Sequence, residues 1–193
     1  MTELSIREVF EDGRTCNEFS SKEVHNSLLK EIYDLTKLGP TSANSCPLRI
    51  TFIKTPENKE KLLSCLMDGN VEKTRSAPVV ALFSYDCKFY KKLPELFPHN
   101  PNFGKMFEAN EALSIDTAYR NSTLQAAYFM VIARSFGLDC GPMSGFDAPK
   151  LNKEFFSGTD FKVNFICNLG YKQSESPFPR LPKLEFDDVC KNI

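Results

Sequence analysis

The chain has 193 residues, 41% of them hydrophobic and 25% charged, and its 24 basic residues nearly balance 25 acidic ones. That length suits one domain, residues 1–193, with interior enough to fold without disulfide or metal staples. A net charge of −1 excludes the basic footprint of a nucleic-acid or membrane-surface protein, and no run approaches the roughly 18 apolar residues of a membrane span. The N-terminal residues MTELSIREVFEDGR carry acids and lack a signal peptide's apolar core, so a cytoplasmic protein is expected. Seven scattered cysteines without a C-x-x-C pair, beside only two histidines, read as reduced thiols and not as a metal site.

In chain order, residues 22–38 carry Val24, Leu28, Ile32 and Leu35 at helical spacing and stop at Gly39-Pro40, which predicts an amphipathic helix. Residues 49–54 alternate as a strand, and residues 57–67 read as a helix after Pro56. Residues 77–85 form a near-continuous apolar run that suits a strand covered on both faces, and residues 162–171 form another. Between them, residues 89–105 hold three prolines and read as a surface connector; the alternative is that Phe89, Tyr90, Phe97 and Phe103 wall a pocket. The longest helix begins near Asp116 and is apolar around most of its circumference from Leu124 to Phe136, so it is expected to run through the middle of the protein or of a dimer. It stops at Gly137, placed for a left-handed C-cap, and Gly141, Pro142, Ser144 and Gly145 follow as a loop of nearly bare backbone. Strands alternating with helices around such a helix give an α+β or α/β sandwich.

The usual catalytic fingerprints of hydrolases, metalloproteases, P-loop proteins and dinucleotide-binding domains are missing. His25, on a helix flank, and His99, between Pro98 and Asn100, read as solvated or structural groups. A chain so poor in reactive side chains, if an enzyme, borrows its chemistry from a cofactor. Four polar clusters are candidates for holding one: Arg14-Thr15-Cys16-Asn17; the stretch 39–47 with Pro40, Thr41, Ser42, Asn44 and Cys46; Asn70 with Lys73; and Arg180 with Lys183. Each alone reads as a turn or a solvated charge. Asn70 and Lys73 are three residues apart, hence on one side of a helical turn.

Together with Pro142, Met143, Ser144 and Gly145, these clusters form a recognisable series. It comprises Arg14-Thr15 with Phe19, GPTSAN at 39–44, DGN-x-x-K at 68–73, LFPH at 96–99, AYRNS-x-LQAAY at 118–128, GLD-x-GPMSGFD at 137–147 and RLP-x-L at 180–184. The series resembles the FMN-dependent nitroreductase family over nearly the whole chain, and is closest to the branch containing the malonic semialdehyde reductase. The resemblance implies a three-layer α+β sandwich around a mixed or antiparallel sheet, with a long buried helix and an intertwined homodimer carrying FMN at its interface. It further implies a two-step hydride transfer from NADPH or NADH through FMN to an acceptor, with no protein nucleophile. Arg14, Arg180 and Lys183 then suit the FMN phosphate, Thr15, Cys16 and Asn17 lie beside it, and Asn70 and Lys73 suit the pyrimidine edge. Pro142, Met143, Ser144 and Gly145 would lie against the flavin, and Pro40, Thr41, Ser42 and Asn44 would reach it from the partner subunit. In the semialdehyde branch the acceptor becomes 3-hydroxypropionate, and its carboxylate calls for a cation, for which Arg120 is the candidate with Arg75 behind it. Cys46 is a further candidate substrate contact, because Cys46 and Leu48 stand where many relatives have glutamine and tryptophan. A broad nitro or quinone reductase, and a flavin-binding dimer without turnover, are the alternatives.

Overall fold

The computed structural model describes residues 4–175 and 179–193. Its centre is a sheet of β1 (Leu48–Ile53), β2 (Val79–Asp86), β3 (Asp139–Met143) and β4 (Phe161–Gly170), in the spatial order β1-β2-β4-β3 with every pairing antiparallel. The apolar run expected as a doubly covered strand is β2, and the two-residue repeat of a strand explains its burial on both sides. Val79, Ala81 and Phe83 point into a core shared with α2 (Asn26–Thr36) and α7 (Glu111–Ser135). Val80 and Leu82 point the other way, onto α3 (Pro56–Leu63) and α8 (Ala148–Phe155). The result is the expected three-layer α+β sandwich. Where β2 meets β4 the register slips between Phe83 and Ser84, and the bulged Asn164 donates to Ser122 Oγ at 3.1 Å and Thr123 Oγ1 at 2.8 Å.

Helix α7 starts on Asn110, whose side chain accepts the Leu113 N–H at 3.0 Å. It lays small residues, Ser114, Ala118, Ser122, Ala126 and Ala133, toward the interior, and this lets its backbone approach the sheet. Phe129 fills the space left, its ring 5.4 Å from Phe83 and 6.0 Å from Phe52. The helix ends as its sequence predicts. Gly137 takes φ of 79°, its N–H bonds the Arg134 carbonyl at 2.9 Å, and the Leu138 N–H bonds that of Ala133 at 3.0 Å, which together satisfy the last carbonyls. The helix is not enclosed within this chain, however: Tyr119 and Leu124 are 51% and 44% exposed.

Other expectations shift in instructive ways. The helix expected over 22–38 is the shorter α2, with Leu29, Ile32 and Thr36 buried and Leu35 exposed; Val24 is buried in the extended segment before it. The helix expected over 57–67 breaks after Leu63, because Leu66 forms a bridge with Phe146, and α4 (Asp68–Ser76) begins two residues later. The connector is more ordered than its prolines suggest. Short turns including α5 (Leu93–Leu96) and α6 (Lys105–Glu108) bury Phe89, Leu93 and Phe107 against Ala118 of α7. Phe89 is 0% exposed and 5.0 Å from the Phe107 ring, so its aromatic surface builds a small third core instead of a pocket wall. The expected glycine-rich loop is mostly β3, an edge strand where Pro142 costs the sheet no hydrogen bond.

All seven cysteines are free thiols, four of them buried. No helix of the described residues is long and apolar enough to cross a membrane.

Candidate functional site

The outer edge of β3 is flanked by the segment that carries the first polar cluster. Thr15 bridges Cys140, and the Cys16 N–H donates to the Cys140 carbonyl at 3.0 Å. This close approach depends on Gly141, because a Cβ there would lie 2.5 Å from the Cys16 carbonyl oxygen. Between this segment, α4 and the turn after β4 lies a cavity of about 580 Å³. Arg14, Thr15, Cys16, Asn17 and Lys73 all line it, so five residues from two distant clusters meet at one place. Cys16 itself is a neutral donor: burial pushes its thiol up to about 11, and it hydrogen-bonds the Glu18 carbonyl at 3.1 Å.

Helix α4 ties the cavity to the end of β3. One turn before Lys73, the Asn70 amide donates to the Gly145 carbonyl at 3.0 Å, and that carbonyl also accepts the Met67 N–H at 3.0 Å. A Cβ on Gly145 would meet Asn70 Nδ2 at 2.5 Å. Deeper in, Asn168 of β4 donates to Thr74 Oγ1 at 3.3 Å, and the Thr74 hydroxyl contacts Met143 Sδ at 3.7 Å. Asn70, Lys73, Met143 and Gly145 thus belong to one braced unit. Pro142 is half-buried beside it, and Ser144 is exposed.

Arg180 returns from the C-terminal segment to α1 (Ile6–Glu11). Its Nη2 donates to the carbonyls of Phe10 at 3.2 Å, Glu11 at 2.7 Å and Gly13 at 3.0 Å, next to Arg14. The first two are the last carbonyls of the helix, at its negative end, where a cation is favoured. Lys183 is exposed three residues later.

The stretch 39–47 lies elsewhere, and among the described residues lining the cavity none comes from it. It is clamped by α7: Asn121 Oδ1 accepts the Ser42 N–H at 2.8 Å, Gln125 Oε1 accepts the Leu48 N–H at 3.0 Å, and the Tyr128 hydroxyl donates to the Pro40 carbonyl at 3.2 Å. From the other side Asn44 donates to the Leu96 carbonyl at 2.8 Å, and Arg49 donates to the Cys46 carbonyl at 3.0 Å. The clamps hold a strained path, with φ of 50° at Ala43, 49° at Asn44 and 41° at Cys46. No sequence motif marks these clamping roles. Buried amides at i and i+4 on an otherwise apolar helix face were the available signal. Replacing Asn121 by leucine leaves the Ser42 N–H without its acceptor, with an expected loss of about 1 kcal/mol in urea unfolding and faster hydrogen exchange at residues 42–46. Asn121→Asp keeps the acceptor and is expected to retain slow exchange.

The two arginines considered for substrate both sit in exposed ion pairs. Arg120 pairs with Asp116 at 2.7 Å along α7 and is 70% exposed; Arg75 pairs with Glu60 at 2.7 Å and Glu72 at 3.2 Å. The Cys46 thiol donates to Asn44 Oδ1 at 3.4 Å.

What would fit this arrangement is a flat, phosphate-bearing cofactor such as FMN. The cavity is of small-cofactor size, Arg14, Lys73 and Lys172 line it beside the carboxylates Asp12, Glu18, Glu72, Asp139 and Glu175, and bare glycines bring backbone close beside it. Known proteins resemble the chain in sequence and in fold. The family described as Nitroreductase matches residues 12–171. A protein of Cupriavidus pinatubonensis, provisionally named NADH dehydrogenase/NAD(P)H nitroreductase, is 47% identical over 188 residues, 96% of each chain. Among solved structures, a provisionally named NAD(P)H:FMN oxidoreductase of Staphylococcus epidermidis, 18% identical, superimposes with a TM-score of 0.89 over 100% of this chain and 98% of its own. A provisionally named nitroreductase of Exiguobacterium sibiricum, solved in complex with FMN and 18% identical, superimposes at 0.85 over 99% and 98%.

Proposed function

The chain belongs to the nitroreductase family, and on that premise we propose an FMN-dependent NAD(P)H oxidoreductase of the cytoplasm whose acceptor is a small carbonyl compound, malonic semialdehyde, reduced to 3-hydroxypropionate. The observation that carries the oxidoreductase reading is the meeting of Arg14, Thr15, Cys16, Asn17 and Lys73 around one 580 Å³ cavity braced against Gly145. FMN, when bound, would supply two-electron hydride chemistry between NADH or NADPH and the acceptor. The polypeptide contributes position and charge. Arg14 and Arg180, with Lys183 near them, take the phosphate, guanidinium forks being matched to its oxygens. Asn70, fixed through Gly145, offers its amide to the pyrimidine edge, and Lys73 supplies positive charge where reduction builds negative charge. Lys73→Gln is therefore expected to lower the two-electron midpoint potential of the flavin by about 30 mV, equivalent to ~1.4 kcal/mol. Equilibration against a reference dye measures it, and an unchanged potential removes Lys73 from the pyrimidine edge.

The working unit in this reading is a homodimer. Its support is apolar surface left open by one chain: Tyr119 and Leu124 on α7, and Leu181, Leu184, Phe186 and Val189 in the C-terminal segment, which are 62–73% exposed. Pro40, Thr41, Ser42 and Asn44 then serve the flavin of the other subunit. Arg120 is assigned to the substrate carboxylate, with Arg75 second, and Cys46 to the acceptor pocket. The broader reading, a nitro or quinone reductase, is favoured by the nitroreductase name of the Cupriavidus relative.

Purified protein should be yellow, and NADH or NADPH should bleach it without oxygen; failure of both nucleotides sinks the oxidoreductase reading. Turnover of malonic semialdehyde against a nitroaromatic then decides the acceptor. A kcat/KM higher for the nitroaromatic would replace the semialdehyde assignment with the broader one.

A further inference from the structure

We propose that Arg134, in the last turn of α7, is a positioning residue for the phosphate end of the flavin site, an inference that rests on the FMN reading above. The Arg134 side chain is half-buried and its Nη2 donates to the backbone carbonyl of Arg14 at 3.3 Å, across 120 residues of sequence. Its Nη1 lies 3.2 Å from where a Cβ on Gly13 would stand, so a bare residue at 13 leaves the guanidinium its room. Arg180 grips the same short segment through the carbonyls of Phe10, Glu11 and Gly13. Arg134 and Arg180 therefore hold the backbone on either side of Arg14, whose side chain lines the cavity.

Among the described residues, Arg134 and Arg180 donate to carbonyls and make no ion pair with a carboxylate, whereas Glu11 is held by Arg7 at 3.0 Å. The cavity lining carries Arg14, Lys73 and Lys172 beside the carboxylates Asp12, Glu18, Glu72, Asp139 and Glu175, so the direction from which the Arg14 guanidinium enters it decides where a phosphate can be held. A residue used only for packing at the end of α7 would need no fork aimed at the Arg14 peptide. Arg134 fixes that peptide and with it the direction from which Arg14 meets the phosphate, while adding charge of its own. The FMN phosphate is the group affected; the isoalloxazine end is not.

That distinction supplies the test, because riboflavin has the same ring and ribityl chain without the phosphate. Apoprotein prepared from the full chain is titrated with FMN and with riboflavin, following flavin fluorescence, in wild type, Arg134→Gln, Arg134→Lys and Arg14→Ala. Arg134→Gln is expected to weaken FMN about tenfold, the effect of losing one charge-assisted contact, and riboflavin by under about twofold. Arg134→Lys keeps the charge without the planar fork and is expected to weaken FMN about threefold and to shift the ³¹P resonance of bound FMN. It is also the variant that tests the proposal should Arg134→Gln fail to fold. An FMN-to-riboflavin preference and ³¹P resonance unchanged in the folded Arg134 variants, or an equal loss for both ligands, overturns the inference. If Arg14→Ala alone abolishes the preference, the FMN reading stands and the role of Arg134 falls. If flavin binds and Arg14→Ala leaves the preference intact, the phosphate placement falls as well.

Discussion

Phe129→Ala is expected to remove about 3–5 kcal/mol of unfolding free energy, the largest effect of any single side-chain truncation considered for this fold. The residue is 0% exposed in the C-terminal half of α7, wedged between Phe83 of β2, 5.4 Å away, and Phe52 of β1, 6.0 Å away. Its neighbours along the inner face are small residues, Ser122, Ala126 and Ala133, which have no reach to fill the vacated space, so the cavity would persist. For a chain of this size the loss corresponds to a fall of about 6–20 °C in melting temperature. The consequences extend to function, because α7 also carries Asn121, Gln125 and Tyr128, the clamps on the stretch 39–47. Urea unfolding of Phe129→Ala beside Leu124→Ala gives the measurement. Leu124 is 44% exposed in one chain, so its truncation alone should cost under about 1.5 kcal/mol unless a second subunit covers it. A loss below about 1.5 kcal/mol for Phe129→Ala would mean that α7 is not the keystone of the sheet's inner face.

Which parts of this architecture could be read in advance follows from the range of the forces involved. Strand β2 was legible because burial on both faces leaves a continuous apolar run, and the end of α7 because Gly137 alone tolerates the left-handed turn. Helix α2 was legible in most of its face, since Ile32 is buried, Leu28 packs on the core and Val24 is buried just before it, but Leu35 stays exposed while Leu29 and Thr36 turn inward beside Ile32. The break between α3 and α4 depends on Leu66 meeting Phe146, some 80 residues away, which no local period records. The candidate site divides in the same way. Arg14, Cys16 and Lys73 stood out as polar residues in recognisable motifs, and they do meet around one cavity. Asn121, Gln125 and Arg134 act through single hydrogen bonds to backbone 79, 77 and 120 residues away, and their purpose appears only when the chain is closed.

Gly141→Ala is expected to cost about 3 kcal/mol from overpacking and a lost backbone hydrogen bond. The added methyl would lie 2.5 Å from the Cys16 carbonyl oxygen, 3.4 Å from Asn168 Cβ and 3.6 Å from Phe19 Cζ. The first of these is backbone, with no rotamer to turn aside, so residues 14–19 must retreat from β3 and the Cys16 to Cys140 bond at 3.0 Å must open. That retreat moves Arg14, Thr15, Cys16 and Asn17 together, and the cavity wall with them. Two neighbouring glycines separate this cause from the alternatives. At Gly137 nothing lies within 4 Å but φ is +79°, so alanine there should cost only the about 1–2 kcal/mol of left-handed strain and leave the cavity intact. At Gly145 the new methyl meets the end of the Asn70 side chain at 2.5 Å, which can swing away, so stability should hold while the brace between α4 and β3 is lost. Thermal unfolding together with FMN titration resolves the three: Gly141→Ala loses both stability and cofactor affinity, Gly137→Ala loses stability alone, and Gly145→Ala loses affinity alone. A Gly141→Ala protein with wild-type melting and wild-type FMN affinity would show that the first polar cluster is not held by its approach to β3.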